Sequence, residues 1–239
     1  ERHLWSGQIA DPSGRCRMSA WQQLPIESND LPVTVKLTGV RVRAWQGIPD
    51  ITVDKAEQVE LLSSAPWGSE IDLENHVVDV ELSDVVNSAS RVGIATSGTV
   101  VSVREDSGII MRCVTCRRVT RDGECSSPNC VGKVESQQDV RLRLVIDNGD
   151  VTASVLINKD ASLGLMNTTE DKMAKAIQNE GQMEYVQSIR DYILGRELVV
   201  NGRTIVDDQG AMILADMAEI SATDAAMLAT EVRAQWGVN

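Results

Sequence analysis

The spacing of the cysteines constrains the fold more than any other feature of this sequence. Four of the five cysteines form the pattern C-x2-C-x8-C-x4-C, at Cys113, Cys116, Cys125 and Cys130. Two thiolates separated by two residues can bind one metal ion from a tight knuckle, and a second pair beyond a short hairpin completes a tetrahedral all-sulfur site. The spacing therefore predicts a zinc ribbon that holds one structural Zn²⁺ ion, with paired disulfides as the alternative.

The same cysteines limit the chemistry that the metal can perform. Four thiolates fill the coordination sphere and leave no position for an activated water, so a zinc hydrolase is the least favoured interpretation. The fifth cysteine, Cys16, alternates with apolar residues and is interpreted as a small buried hydrophobe. Four aspartates flank apparent turns and are explained as turn formers: Asp147, Asp150, Asp207 and Asp208. The sequence shows no acid–base dyad, nucleophile triad or phosphate-binding glycine loop, so we expect no enzymatic activity.

Short strands and turns dominate the N-terminal part of the chain. Residues 3–21 predict a β-hairpin, because the DPSG turn supplies a side-chain acceptor, a fixed φ and a permissive glycine in order. In residues 33–45 the apolar alternation changes register at Gly39, which predicts a β-bulge that curls the sheet toward closure. This register places Val42 on the inner face, and residues 50–62 give a further strand.

The second half repeats this strand-and-turn pattern around the cysteine insert. Residues 167–195 predict a helix, with Thr168 as a candidate N-cap and Gly195 as the stop. Together these features predict a mainly β chain with two five-stranded OB-fold barrels, the first lacking its first strand. The predicted domains are an N-terminally incomplete OB-fold DNA-binding domain at 1–64, an acidic linker at 65–85, a second OB-fold domain at 86–220 with the zinc ribbon at 110–133, and a C-terminal assembly helix at 221–239.

The C-terminal stretch carries an apolar stripe at helical spacing. Ser221 is a possible N-cap, and Ala225, Leu228, Val232 and Trp236 recur on one face. Such a stripe packs either against the chain's own barrel or against partner subunits, and the sequence leaves both open. Leu228, Val232 and Trp236 are the candidate assembly residues.

Arginine and tryptophan recur together on two strands of the first barrel. Strand alternation directs Arg15, Arg17 and Trp21 to the face opposite Cys16, Met18 and Ala20, and it places Arg41, Arg43 and Trp45 on one face after Gly39. Arginine pairs with phosphates while indole stacks on unpaired bases, so the doubled pattern favours single-strand binding by stacking. The alternative is that both tryptophans plug the core and the arginines are solvated.

The charge distribution limits the binding modes further. A formal net charge of −12 argues against nucleic-acid binding by bulk positive charge. Residues 104–143 nevertheless hold eight Lys and Arg against six acids. Five arginines of this segment are candidate contacts to the DNA backbone: Arg117, Arg118, Arg121, Arg141 and Arg143. The sequence lacks an 18-residue apolar run and a signal-peptide pattern. We therefore expect no membrane association and a cytoplasmic, nucleoid-associated protein.

At this point the sequence resembles a known family. The hairpin DPSGRCRMSAW looks like strands 2 and 3 of the DNA-binding OB domains of replication protein A, and the barrel with a four-cysteine ribbon and a C-terminal helix is similar to that family's zinc-containing domain, particularly in archaea. The resemblance implies a single-stranded DNA-binding protein of replication, repair and recombination, with little sequence preference. It also implies that Trp21 stacks on a base, that Trp45 substitutes for a second aromatic expected after Gly47, and that the C-terminal helix assembles subunits. The implied partners are single-stranded DNA, other subunits and replication proteins.

Two other function classes remain open on the sequence alone. The first is a protein-interaction scaffold of a replication complex in which DNA binding is slight. The second is an RNA-binding OB–ribbon protein, which competition between matched DNA and RNA oligomers distinguishes.

Overall fold

The computed structural model describes most of the chain and is mainly β. The described residues are 5–27, 31–45, 48–68, 71–125, 127–130, 133–208, 210–222, 229–230, 232–234 and 236–237. Their strands are β1 (Trp5–Asp11), β2 (Gly14–Ala20), β3 (Thr34–Leu37), β4 (Arg41–Trp45), β5 (Ile48–Val53), β6 (Val59–Leu62), β7 (Val78–Asp79), β8 (Val92–Val103), β9 (Gly108–Cys113), β10 (Thr120–Arg121), β11 (Glu124–Cys125), β12 (Ser136–Asp147), β13 (Thr152–Ile157), β14 (Glu197–Asp207) and β15 (Gly210–Ile220). Their helices are α1 (Leu82–Asn87), α2 (Lys159–Leu165), α3 (Glu170–Glu180) and α4 (Gln182–Ile193), with a 3-10 turn at Ala56–Gln58.

The chain divides into two compact units. Unit 1 comprises Glu1–Thr96 and Asn201–Leu214, and unit 2 comprises Ser97–Val200 and Ala215–Asn239. The predicted acidic linker falls inside unit 1, where it contains β7 and the start of α1. Residues 201–214 join unit 1 because backbone N–H groups of β14 donate to residues that precede β8: Thr204 N to Arg91 O at 2.8 Å and Val206 N to Ser90 Oγ at 2.9 Å.

The sheet of unit 1 is built on the predicted hairpin. β1 and β2 pair antiparallel around the DPSG turn, in which Asp11 Oδ1 accepts from the backbone N–H of Ser13 at 2.8 Å. β5 pairs parallel to β2 and antiparallel to β4, so β4 lies at the edge of the sheet. Alternate residues of β2 point into the core, where Met18 and Ala20 pack with Val53. The burial of Met18 and Ala20 confirms the predicted alternation there, whereas Cys16, predicted to be a small buried hydrophobe, is only half-buried.

The strand predicted around Gly39 is two strands. β3 pairs with β6 and β4 pairs with β5, and Gly39 lies between them with φ +66°. Gln58 Nε2 donates to the carbonyl of Gly39. The 3-10 turn that contains Gln58 lies between β5 and β6, so the strands that pair with β4 and β3 are also separated. The inward placement of Val42 was wrong: its side chain is 67% exposed, because β4 is an edge strand beyond this break.

Five strands that lie wholly or partly in unit 2 form a closed circuit. The strand order is β14–β15–β13–β12, β12 also pairs with β8, and β8 lies next to β14. The inward residues of β12 are fully buried, as alternation requires: Val140, Leu142, Leu144 and Ile146. β9 extends from β12 on the ribbon side, pairing Gly108–Cys113 with its N-terminal half.

The chain segment between β13 and β14 is helical and contains α2, α3 and α4. The predicted single helix is α3 followed by α4, separated at Gly181 with φ +98°, and α2 precedes them. The N-cap of α3 is Thr169 rather than Thr168, since the Thr169 hydroxyl accepts from Lys172 N at 3.3 Å. α4 buries Val186, Ile189 and Ile193. Of the helices in the described ranges, none has the length and apolar character to span a bilayer.

Candidate nucleic-acid interface and metal centre

The four predicted metal ligands converge in unit 2. Cys113 ends β9, and Cys116 follows in a turn whose backbone closes through Cys113 N to Arg118 O and Arg117 N to Cys113 O, both at 2.9 Å. Cys125 ends the β10–β11 hairpin, and Cys130 N donates to Ser127 O at 3.1 Å in the second turn. The four Sγ atoms lie within 4.8 Å of one another. The sequence spacing thus produces the predicted cluster of sulfur atoms.

The geometry and charge of this cluster fit a tetrahedral zinc ion. Zn–S bonds of about 2.3 Å place tetrahedral sulfurs about 3.8 Å apart. Among the cluster's contacts, Cys116 Sγ and Cys125 Sγ lie 3.3 Å apart. The backbone N–H of Arg118 and the neighbouring thiols lower the pKa of Cys116 to about 7, whereas the hydrogen bond with Cys116 and burial raise the pKa of Cys130 to about 12. Four such close thiols can ionise together only when a cation neutralises them, which is the chemistry that zinc supplies.

The predicted binding face of unit 1 carries an exposed tryptophan. Trp21 follows the last residue of β2, and its side chain is 57% exposed. The alternative in which Trp21 plugs the core is therefore excluded, because the core positions of β2 belong to Met18 and Ala20. An exposed indole of this kind is available to stack on a flat ring.

The strand register places arginines on one face of this sheet. Arg17 lies opposite Asp50 in the β2–β5 pair, and Arg43 lies opposite the same Asp50 in the β4–β5 pair. Arg41 lies opposite Thr52, two residues further along β5. Side chains directly opposite one another share a face, so Arg17, Arg41 and Arg43 lie on one side of the sheet.

The arginines of unit 1 differ in what already holds them. Arg15 Nη1 donates to the backbone carbonyls of Leu73, at 3.1 Å, and Glu74, so this side chain anchors a loop and is half-buried. Arg41 Nε donates to Asp54 Oδ2 at 2.6 Å and Nη2 donates to Oδ1, and this pairing lowers the pKa of Asp54. Of the predicted DNA-contact arginines in unit 1, Arg15 is therefore the one whose side chain binds the protein's own main chain.

Trp45 and Arg17 complete the set in unit 1. The backbone of Trp45 pairs with Ile48, and its side chain lies outside the described residues. Arg17 is 61% exposed, and its Nε donates to Ser6 Oγ at 3.2 Å and lies 3.6 Å from Asp50 Oδ2. The guanidinium of Arg17 is thus largely open to solvent.

The predicted arginines of unit 2 form two groups. Arg141 and Arg143 both contact Asp106 Oδ2, through Arg141 Nη2 at 2.5 Å and Arg143 Nη1 at 2.9 Å. Burial alone raises the pKa of Asp106, but the hydrogen bond from Arg143 and the charge of Arg141 offset it and leave that pKa below its ordinary value. The ribbon arginines Arg117 and Arg118 are exposed, as is Arg121. The ribbon group is therefore open to solvent, whereas Arg141 and Arg143 are engaged by Asp106.

The sequence did not single out the aspartates that hold these arginines. Asp106 lies 35 positions from Arg141 and Asp50 lies 31 positions from Ser19, which donates to it. No local spacing links residues so far apart.

The candidate assembly residues are described in part. Residues 229–230 and 232–234 are helical, and Trp236 N donates to Val232 O at 3.0 Å. The Trp236 side chain is 77% exposed, whereas Val232 is half-buried. Leu228 lies outside the described residues. The Trp236 side chain is therefore largely uncovered by the described residues.

The sequence matches no family model, and no curated protein matches it. Among solved structures, the chain is similar to a chain of a replication protein A heterotrimer bound to ssDNA, with 12% identity and a TM-score of 0.44, covering 97% of this chain and 62% of that chain. It is similar to a chain of yeast RPA bound to ssDNA, with 14% identity and a TM-score of 0.37, covering 59% of this chain and 85% of that chain. It is also similar to the p204 HINb domain, with 7% identity and a TM-score of 0.30, covering 92% and 86%. The chain spans less than two thirds of the first of these chains, and the identities and TM-scores do not establish a family.

Proposed function

We propose that this chain is a non-enzymatic single-stranded DNA-binding protein that acts by base stacking and backbone contact, with little sequence preference. The observation that carries the proposal is the exposed indole of Trp21 at the end of β2, beside the face that bears Arg17, Arg41 and Arg43. Single strands expose base faces to an aromatic side chain, whereas a duplex hides them. The same face therefore favours single strands over duplex.

Unit 2 has a different role in this proposal. We interpret the closed strand circuit as one OB barrel and the sheet of unit 1 as part of a second OB barrel. The zinc ribbon stabilises unit 2, and its exposed arginines contact the phosphates of the DNA backbone. Trp45, Arg15, Arg141 and Arg143 remain candidate contacts, the last three only if DNA displaces their present partners.

Further parts of the proposal follow from the sequence resemblance. They are a role in replication, repair and recombination, a likeness to archaeal replication protein A, a cytoplasmic and nucleoid-associated location, and contacts with other subunits and replication proteins. A scaffold with slight DNA binding is the second candidate, favoured by the exposed Trp236 and by the ion pairs that occupy Arg141 and Arg143.

Fluorescence anisotropy of a labelled oligo-thymidine tests the function. Stacking contributes about 1–3 kcal/mol per base, so Trp21→Ala should weaken binding about tenfold or more, whereas Trp21→Phe keeps an aromatic ring and should stay within about threefold of native. Neutralising about four phosphates gives a log–log salt slope of about −3. Duplex and oligo-uridine of the same length serve as competitors.

The outcomes separate the candidates. Equal affinity of native protein and Trp21→Ala contradicts a stacking role. No binding at low salt favours the scaffold, and preference for oligo-uridine favours RNA recognition.

A further inference from the structure

Asp50 is an acidic residue at the centre of the arginine-bearing face. β5 runs between β2 and β4, and Asp50 lies opposite Arg17 on one side and Arg43 on the other. The same row continues to Gln8, which lies opposite Arg17 in the β1–β2 pair. A strand of DNA that follows the arginines across this sheet therefore passes over a carboxylate.

The contacts of Asp50 hold it in that place. Ser19 Oγ donates to Asp50 Oδ1 at 2.9 Å, which fixes one carboxylate oxygen. The other oxygen lies 3.6 Å from Arg17 Nε. The Asp50 side chain is 26% exposed, against 61% for Arg17, so the acid is largely covered in the sheet while the Arg17 side chain is largely accessible to a ligand. The 3.6 Å separation is longer than a charge-assisted hydrogen bond.

Asp54 provides a contrast on the same strand hairpin. It holds Arg41 through two hydrogen bonds, one of them 2.6 Å long, so the guanidinium and carboxylate satisfy each other. Arg17 has no such paired arrangement with Asp50, since its Nε is shared with Ser6 Oγ at 3.2 Å. Arg17 can therefore leave Asp50 for a phosphate more readily than Arg41 can leave Asp54.

A phosphate that takes Arg17 leaves Asp50 behind. The carboxylate keeps its bond from Ser19, so it stays on the face and repels the incoming anion. This repulsion weakens the binding of every polyanion, but polyanions differ in the other contacts that they make with this face. A single strand also stacks on Trp21 and can bend its phosphates away from Asp50, whereas a duplex offers only a rigid row of phosphates.

We propose that Asp50 is a specificity-determining residue that competes with phosphate for Arg17 and thereby disfavours duplex DNA and other polyanions relative to stacked single strands. This role rests on the proposed function of the same face. It makes binding depend on stacking at Trp21 more than on charge. Asp50 is not a ligand contact in this proposal: it acts through Arg17.

The test uses Asp50→Asn in the full chain, with oligo-thymidine, duplex of equal length and heparin as probes. The asparagine oxygen can still accept from Ser19, so the change removes the charge and keeps the hydrogen bond. Because a rigid duplex cannot turn its phosphates away from Asp50 whereas a single strand can, removal of this charge should tighten duplex binding more, by about tenfold against about threefold for oligo-thymidine. Glu60→Gln is the matched control, since it removes the same charge from an exposed ion pair between Glu60 of β6 and Lys36 of β3.

Two further comparisons decide the mechanism. If Asp50 acts through Arg17, the gain from Asp50→Asn should disappear in an Arg17→Gln background, as a double-mutant cycle measures. An equal gain in Glu60→Gln, or a gain that persists without Arg17, overturns the proposal. Thermal unfolding of each variant verifies that the fold is kept.

The same titrations separate this proposal from the function on which it rests. Failure of native protein to bind oligo-thymidine contradicts the proposed function. Trp21-dependent binding with unchanged affinities in Asp50→Asn contradicts the role of Asp50 alone.

Discussion

At the scale of the residue, the partner of each arginine decides what the arginine does. Arg15 is attached to backbone carbonyls, Arg17 is largely solvent-exposed beside Asp50, and Arg141 and Arg143 converge on Asp106. Ser107 strengthens the last group, because its hydroxyl donates to Arg143 O at 3.2 Å and accepts from Arg143 N at 2.9 Å. The loop that carries Asp106 is therefore fixed to β12, and we expect this cluster to stabilise unit 2.

Replacing Asp106 with Asn should destabilise the protein by about 1–2 kcal/mol at pH 7, because two guanidinium groups lose their anion and the pair is partly solvent-screened. The folded-state pKa of Asp106 lies below its ordinary value of 3.8. Its contribution is therefore complete above pH 3.8 and is lost as the pH falls through the lower, folded-state pKa. Urea unfolding at pH 7 and at progressively lower pH measures both effects.

Asp150→Asn is the control for this prediction, because Asp150 lies in the exposed turn between β12 and β13. It should change the free energy of unfolding by no more than about 0.5 kcal/mol. A difference between native protein and Asp106→Asn that does not shrink at low pH would show that the carboxylate charge is not the cause.

At the scale of the element, the ribbon depends on its sulfur cluster. β10 and β11 are two residues long, and the segment between β9 and β12 contributes few large buried side chains in the described ranges. Such a hairpin cannot bury enough apolar surface to be stable by itself. We therefore expect zinc binding to supply most of its folding free energy, on the order of 10 kcal/mol at neutral pH.

Replacing Cys116 with Ser should abolish stoichiometric zinc binding and unfold the ribbon, while the strand circuit of unit 2 stays folded. Elemental analysis of zinc per chain and hydrogen exchange of residues 110–133 against β12 and β13 measure the two effects. Cys16→Ser is the matched control and should keep one zinc, since Cys16 lies on β2 of unit 1. Full protection of the ribbon in the Cys116 variant would contradict a zinc-dependent fold.

At the scale of the whole molecule, the C-terminal helix is the candidate for assembly. Trp236 is the most exposed of the large apolar side chains in the described residues. Exposed aromatic residues of this size are typical of protein interfaces. We therefore assign Trp236 to subunit contact in the proposed function, separate from the stacking face of unit 1.

Replacing Trp236 with Ala should lower the oligomeric mass of the protein and leave the intrinsic affinity for a short oligo-thymidine within about twofold of native, because burial of one aromatic side chain contributes about 2–3 kcal/mol. Light scattering coupled to gel filtration measures the mass, and anisotropy with an oligomer that spans one subunit measures the affinity. An unchanged mass in Trp236→Ala would remove this residue from the interface.

The sequence by itself determined the features that depend on near neighbours. The DPSG turn and the alternation of β2 each involve residues within one turn or strand, and the cysteine spacing spans two short turns joined by a hairpin, where covalent geometry limits the choices. The register change at Gly39 was also local, but its interpretation as a bulge within one strand was wrong, since β3 and β4 are separate strands with different partners. The exact cap of α3 was misplaced by one residue, since Thr168 and Thr169 offer the same hydroxyl.

Only the tertiary structure decided which distant groups meet. Pairing of β5 with β2 and β4 placed Asp50 between two arginines, and the return of β14 and β15 through residues 201–214 joined them to unit 1. Val42 became exposed because β4 is an edge strand, which alternation within the strand does not encode. Charge pairing and burial depend on long-range strand order, and that order is fixed by the packing of the whole sheet rather than by local sequence.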